Sequence, residues 1–475
     1  MIKRNYIYLF TLFLLCVFSR IITSIYYIED IDSLRFALSI QDYNILALQP
    51  HFPGYPIFCF IAKVLHYFIG NMGIVFSITG GASVFTIIYY LLRIYNASLK
   101  TYNGRYIALI IFFNPLIWIM SNRYMPDLMG LAVALSIIYY LVFAEKENNY
   151  LEKGFFLSAM LVGIRLSYVP LILFPFFRIL LRNKDRVRLV MLFGLGILLW
   201  LLPMITITGF NDLILIAKRH TAGHFMDYGG TIFTEYSIMA RVTHLFKSVW
   251  ADGFGGYWVG RGWPTILLTI LLLLQLGISF KDLKKRAKLE KKIKLLIYCV
   301  LIYTVWAFFF QNIIFKSRHI LPILLFFVIL LIDGQKKYRG SMYSALMYIY
   351  FIVSAGHTFY LNYQHQQFTA VHKLKNYLTY KGNIDNVIST PLINYYLKRH
   401  MLHANFINIE DSLQIENFNH QNDINKSVIM IGDYQSLLGD QYSSIKDTTF
   451  YHNPYMNQMW PKIDVYNLNL HNKDD

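Results

Sequence analysis

Two carboxylates, Asp30 and Asp32, follow directly on a long apolar run in Glu29-Asp30-Ile31-Asp32-Ser33-Leu34-Arg35-Phe36-Ala37-Leu38. Ionisable groups at the edge of an apolar segment are costly to hold there and are functional candidates by default. Asp32 heads an amphipathic stretch. It can act as a general base towards a hydroxyl, and it can equally be the N-cap of a helix. A little further on, Gln49-Pro50-His51-Phe52-Pro53-Gly54-Tyr55-Pro56 sets an imidazole and a phenol, His51 and Tyr55, in a turn stiffened by its prolines. Arg123 and Asp127 lie in Asn122-Arg123-Tyr124-Met125-Pro126-Asp127, Arg165 in Gly163-Ile164-Arg165, and Arg318 and His319 in Lys316-Ser317-Arg318-His319-Ile320-Leu321-Pro322. Each group sits at the end of an apolar segment, where a guanidinium is expensive without an anion. The planar fork of arginine suits phosphate oxygens. For each of these arginines, snorkelling to the interface or pairing with an acid such as Asp127 is the plainer alternative.

The stretch from Lys218 to Gly230 carries His220, His224 and Asp227 at one-face helical spacing. Such a set can hold a divalent metal, but its glycines argue against a helix. With the aromatic, Gly-rich string 251–261, the region reads better as a polar lid or acceptor loop with His224 as a substrate contact. No metal site and no cofactor is required by the sequence; a divalent ion stays open.

The elements that must position these groups are membrane spans. Of 475 residues 56% are hydrophobic and only 15% charged, against about a quarter charged in soluble domains. The apolar residues come in unbroken runs, such as 72–92 and 265–278, close to the roughly 20 residues that cross a hydrocarbon core. They lack the polar face of a soluble helix. The net charge of +17 does not indicate nucleic acid, because Lys and Arg collect in short clusters between apolar runs, as cytoplasmic loops require. The three cysteines, Cys16, Cys59 and Cys299, lie in apolar segments without metal-like or disulfide-like spacing. The first run follows Lys3-Arg4 without a small-residue cleavage site and reads as a retained span.

Charge bookkeeping threads the chain as follows. Spans at about 6–28, 72–92, 106–121 and 128–144 are followed by a hairpin of two half-length helices over 154–181, turning near Arg165. Spans at 189–208, 264–280, 295–311, 320–334 and 341–360 come after it, with a long outer loop at 209–263. Segment 54–70 fits only as an interfacial or re-entrant helix. The expectation is an all-α polytopic membrane protein of about eleven crossings over 1–360, in the inner membrane, with a small extracytoplasmic α/β domain over 361–475. That domain is signalled by a helix at 368–380 and short strands at 386–390 and 427–431.

An Asp after the first span, an amphipathic helix and a Pro-His-x-Pro-Gly-Tyr-Pro entry to the next helix resemble the integral-membrane glycosyltransferases of the GT-C superfamily. These include protein O-mannosyltransferases and aminoarabinose transferases. The resemblance continues at Asn122–Asp127, at 163–168 and at Lys316–Pro322, and covers about 1–360. It implies that Asp32 is the catalytic base and that the donor is a sugar on a polyprenyl phosphate. The acceptor would be an extracytoplasmic glycan, lipid or protein. Many relatives carry an Asp-Glu pair where this chain has Asp32-Ser33, so a second acid would have to be Asp30. His51, Tyr55, Arg123, Asp127, Arg165, His224, Arg318 and His319 would bind the substrate. A carrier or flippase of lipid-linked sugars would place its charges near the bilayer midplane in duplicated halves, a pattern this sequence lacks; a lipid-linked polysaccharide polymerase is a third reading. The threading makes a direct prediction: reporter fusions after Lys288 read cytoplasmic, and fusions after Tyr228 and at the C-terminus read extracytoplasmic. A cytoplasmic C-terminus would overturn it.

Overall fold

The computed structural model describes the chain except residues 1, 145–147, 228, 236, 286–290, 336–340, 421–426, 439–441, 454–459 and 471–475. Parts of the basic turns used in the threading, together with Tyr228, therefore lie outside the described residues. The helices begin where the sequence supplies caps. The side chains of Asn71, Thr101 and Asn114 accept from the backbone N–H groups of Ile74, Gly104 and Ile117, satisfying donors that a helix start leaves open. Proline opens the helices Pro56–Ile69, Pro115–Asn122 and Pro391–Arg399, where its missing N–H costs nothing.

Among the described residues four helical runs are long and apolar enough to cross a bilayer: Met72–Ile94, Asn149–Arg182, Arg186–Thr208 and Lys291–Phe310. The pair Tyr102–Phe112 and Pro115–Asn122 makes a fifth, bent by 55°. Shorter apolar helices at Tyr6–Ile22, Pro56–Ile69, Asp127–Phe143 and Pro264–Ser279 join them. The run Asn149–Arg182 is not one rod. Its Phe155 and Phe176 rings are 4.4 Å apart, whereas a straight helix would separate them by roughly 30 Å at 1.5 Å per residue. The chain doubles back through a 3-10 turn at Leu166–Tyr168, the hairpin expected from charge. Helix Arg186–Thr208 packs along its first arm, where Trp200 Nε1 donates to Ala159 O (3.1 Å). The other side of that helix exposes Leu195, Leu199 and Leu202, a face fit for lipid.

Helix Met72–Ile94 is the best-buried span, 61% against 11% for Arg186–Thr208. Two adjacent glycines let neighbours approach it. A Cβ on Gly80 would lie 1.9 Å from the Ser121 carbonyl oxygen, and one on Gly81 2.7 Å from that of Cys16. Small residues at helix contacts of this kind set how closely backbones pack in membranes.

Two expectations need correction. The first helix ends at Ile22, so the apolar residues up to Ile28 do not extend the span. The long loop at 209–263 contains helices Phe210–Met226 and Ile238–Lys247. Gly223 does not interrupt the first of these, because Leu213 and Ile216 bury on one face against Ile45 and Met204, and that burial outweighs a glycine's cost of about 1 kcal/mol.

The chain divides into two compact units: Met1–Tyr26 with Arg35–Gln366, and Tyr27–Leu34 with Gln367–Asp475. The second unit holds strands β1 (Asn386–Ser389), β2 (Asn405–Asn408), β3 (Val428–Ile431), β4 (Tyr442–Tyr451) and β5 (Lys462–Leu470), in the order β2-β1-β3-β5-β4. β2, β1 and β3 pair in parallel, and β5 runs antiparallel to both its neighbours, β3 and β4. Ile388, Ile407, Phe418 and Met430 form its core.

Replacing Gly80 by Ala should lower the thermal midpoint by several degrees, since overpacking against rigid backbone costs about 1–3 kcal/mol. Gly277→Ala, at a position with nothing within 4 Å, should leave the midpoint unchanged in the same detergent.

Candidate active site

Arg165 stands at the tip of the hairpin, where the backbone leaves the helix (φ −154°, ψ 85°). Its stem lies against Gly130 of helix Asp127–Ile138, whose Cβ, if present, would be 2.6 Å from Arg165 Cβ. That gap lets the guanidinium reach back to the first turn of the same helix. Arg165 Nη2 pairs with Asp127 Oδ1 at 2.7 Å, with the two side chains 5% and 1% exposed. Arg165 Nη1 donates to Tyr55 Oη at 3.2 Å, and Tyr55 Oη lies 3.1 Å from His51 Nε2.

The His51–Tyr55 turn is held by its own packing. Gln49-Pro50 and Phe52-Pro53 are cis, and Gly54 and Tyr55 have positive φ. Tyr43 Oη donates to Gly54 O (2.9 Å), and the Phe36 ring meets the Tyr55 and His51 rings edge-on. A side chain at Gly54 would collide with Tyr43 Oη at 2.6 Å.

A second arm comes from the 3-10 turn Ser317–Ile320. Tyr303 Oη donates to His319 O (2.8 Å), and the Tyr303 ring meets Tyr168 edge-on at 5.4 Å, which ties this turn to the hairpin. Arg318 Nη1 approaches Met125 Sδ at 2.9 Å. The turn is anchored by the fully buried Asp252, which accepts from Ser317 Oγ and pairs with Arg261. His224 Nε2 is 2.8 Å from Phe310 O. The charges of Arg318, Arg165, Lys316 and His224 all bear on His319, and those of Arg165 and Arg318 both bear on Tyr168.

His51, Tyr55, Asp127, Arg165, His224, Arg318 and His319 are thus gathered in one region of the first unit. Within it Asp127 Oδ2, Tyr168 Oη and His319 Nδ1 are buried without a hydrogen-bond partner, which marks a place for a polar ligand or ordered water. The partner of Asp127 is Arg165; Arg123 Nη1 approaches Met120 Sδ instead (3.9 Å). His220, His224 and Asp227 do not converge: among the described residues no three His, Cys, Asp or Glu side chains gather closely enough to hold an ion. Sequence reasoning missed Gly130, Tyr168, Tyr303 and Asp252. Tyr168 lay inside the quoted hairpin string and Asp252 in the Gly-rich string, but nothing local marked either.

The acids of the first loop belong to the second unit. Helix Ile31–Gln41 carries Asp32 in its first turn. The cap is Asp30: its Oδ1 accepts from Ser33 N (2.7 Å), and its carbonyl accepts from Leu34 N (3.0 Å). Asp32 is therefore not the N-cap, one of the two readings its position allowed, and its side chain is 4% exposed.

No family model matches the chain, and no curated protein matches it. Among solved structures, ArnT from Cupriavidus metallidurans bound to undecaprenyl phosphate superposes with a TM-score of 0.50 at 11% identity, over 97% of this chain and 97% of that one. The same protein in the apo state gives 0.45 at 11% identity, over 98% of each. The fold is that of ArnT. This is the GT-C architecture that the resemblance implied. The C-terminal α/β unit is part of the likeness to ArnT, since it is far larger than the few per cent of chain left unaligned.

The Arg165–Asp127 pair makes a stability prediction. Asp127→Ala strands a buried guanidinium and should cost about 3–5 kcal/mol, whereas Asp127→Ala with Arg165→Met removes both charges and should recover much of that loss. Thermal unfolding of the three proteins in one detergent measures the difference.

Proposed function

We propose that this chain is a membrane glycosyltransferase of GT-C type. It moves a sugar from a polyprenyl-phosphate donor to an acceptor hydroxyl on a glycan, lipid or protein outside the inner membrane, with the C-terminal unit on that side. The observation that carries this reading is the gathering of Arg165, Arg318 and His319 around buried, unpartnered polar atoms, in a fold shared with a protein whose structure holds undecaprenyl phosphate.

The chemistry follows from the residue types. The acceptor oxygen attacks the anomeric carbon as the carbon–oxygen bond to phosphate breaks, and the configuration inverts. The acceptor proton passes to the Asp32 carboxylate. The phosphate leaves with the bonding electrons, and its added negative charge is met by Arg318 and Arg165, whose forks are already set in place. Asp127 orients Arg165, and Tyr55 with His51 fixes its other nitrogen. Arg123 and His224 are further contacts for the donor. Rate then comes from positioning and electrostatics, without a covalent intermediate on the protein.

A deletion strain should accumulate a polyprenyl-linked sugar and lose one surface glycan modification, both read by mass analysis. Wild-type protein should restore the profile. Asp32→Asn, at wild-type protein level, should not, because it keeps the shape and loses proton acceptance. Asp30→Asn should restore most of it, because Asn is a competent N-cap. Restoration by Asp32→Asn to within a few-fold of wild type would remove Asp32 as the base. An unchanged lipid profile in the deletion strain would remove the transferase reading itself.

A further inference from the structure

The segment Tyr27–Leu34, at the start of the first loop, is built into the C-terminal unit. Two helices of that unit hold it. From Pro391–Arg399, the fully buried Tyr396 donates its hydroxyl to Ile28 O at 2.6 Å. From Ala370–Lys381, the His372 ring lies beside the Ile28 backbone and 3.5 Å from Tyr396 Oη through Nδ1. The Tyr27 ring is packed by Phe368 (5.4 Å) and His372 (5.3 Å). Immediately after this grip, Asp30 caps the helix and Asp32 occupies its first turn.

The chemistry of the two gripping groups suits a fixed hold. Burial, then the charges of Asp30 and Glu29, raises the Tyr396 phenol above its ordinary value, so it stays protonated and remains a donor. Burial, with the positive charges of Lys375 and His400, lowers His372 to about 4, so near neutral pH its ring sits in the core without charge. Neither group is needed to hold the sheet together, because the strands and their own apolar core do that.

We infer that Tyr396 and His372 are positioning residues for the acid turn: by holding Ile28 they set where the helix begins and so where the Asp32 carboxylate points. The catalytic half of this inference rests on Asp32 being the base; the structural half does not. A base must sit within a few tenths of an ångström of its productive place, and small displacements by remote groups are costly to rate.

The test uses full-length protein. Tyr396→Phe keeps the ring and removes only the donor; Tyr380→Phe, at a side chain 94% exposed, is the control. Hydrogen exchange of the peptide covering 27–34 is measured with binding of undecaprenyl phosphate by the purified proteins and clearance of the accumulated lipid-linked sugar in the complemented strain. In Tyr396→Phe the amides of Ser33 and Leu34 should exchange at least about tenfold faster, clearance should fall about five- to tenfold, and undecaprenyl phosphate should bind within twofold of wild type. A general weakening of the fold would instead speed exchange throughout the unit and lower the midpoint. His372→Gln, which keeps a hydrogen-bonding side chain, should retain more clearance than His372→Ala. Wild-type exchange in Tyr396→Phe would overturn the hold on Ile28. Faster exchange with wild-type clearance would overturn the positioning role. If Asp32→Asn clears normally, Asp32 is lost as the base, yet the exchange measurement still decides whether Tyr396 sets the turn.

Discussion

A guanidinium under an apolar surface must bring its counter-charge with it, and Arg165 does so through Asp127. Taking both groups out of water costs several kcal/mol each, of which the short contact and the bond to Tyr55 return a part, while Arg165 Nε and Asp127 Oδ2 stay buried without a partner. That requirement reaches far into the chain. It fixes the hairpin against helix Asp127–Ile138, keeps position 130 without a side chain, and gives Tyr55 and His51 a reason to turn inward on a stiff proline-bounded segment. The second arm is tied to the same place through the Tyr168–Tyr303 contact and the grip of Tyr303 on the His319 carbonyl. Charges that would repel one another if free are thus held close.

Much of this was legible in the sequence, for physical reasons. Lipid demands long apolar runs, so helices such as Met72–Ile94 and Arg186–Thr208 could be placed within a few residues. The hairpin followed from requiring two basic clusters on one side. Arg165, Asp127, Arg318 and His319 stood out because charge beside apolar sequence is rare. Pairing was not legible. Nothing local says that Asp127 meets Arg165, 38 positions away, and not Arg123, four positions away. Asp30 and Asp32 differ by two residues, and which of them caps depends on the helix starting at Ile31. Helix Phe210–Met226 was hidden because glycine was weighted as a breaker, when burial on Ile45 and Met204 decides the matter.

The C-terminal unit also reads differently once its topology is known. Its short β1 and β3 were visible as apolar runs; the longer β5 also interleaves apolar and polar residues as a half-buried strand does (Ile463, Val465 and Leu468 against Asp464 and Asn467), but neither it nor its partner β4 was singled out from the polar background. Its inclusion of Tyr27–Leu34 could not be foreseen, because those residues are separated from their neighbours in space by more than 300 positions. The partners that hold this segment, Phe368, His372 and Tyr396, are all made long after it.

The buried ion pair has a parallel consequence for synthesis. Asp127 is made 38 residues before Arg165, so at roughly 5–20 residues per second the carboxylate waits about two to eight seconds for its cation. During that interval the nascent helix carries a lone acid at its end, without the cation that will cover it. The arrival of the hairpin tip, not the insertion of the helix, is then the moment at which the charge can be drawn under cover. The order of the two residues along the chain thereby sets the order in which the bundle can close.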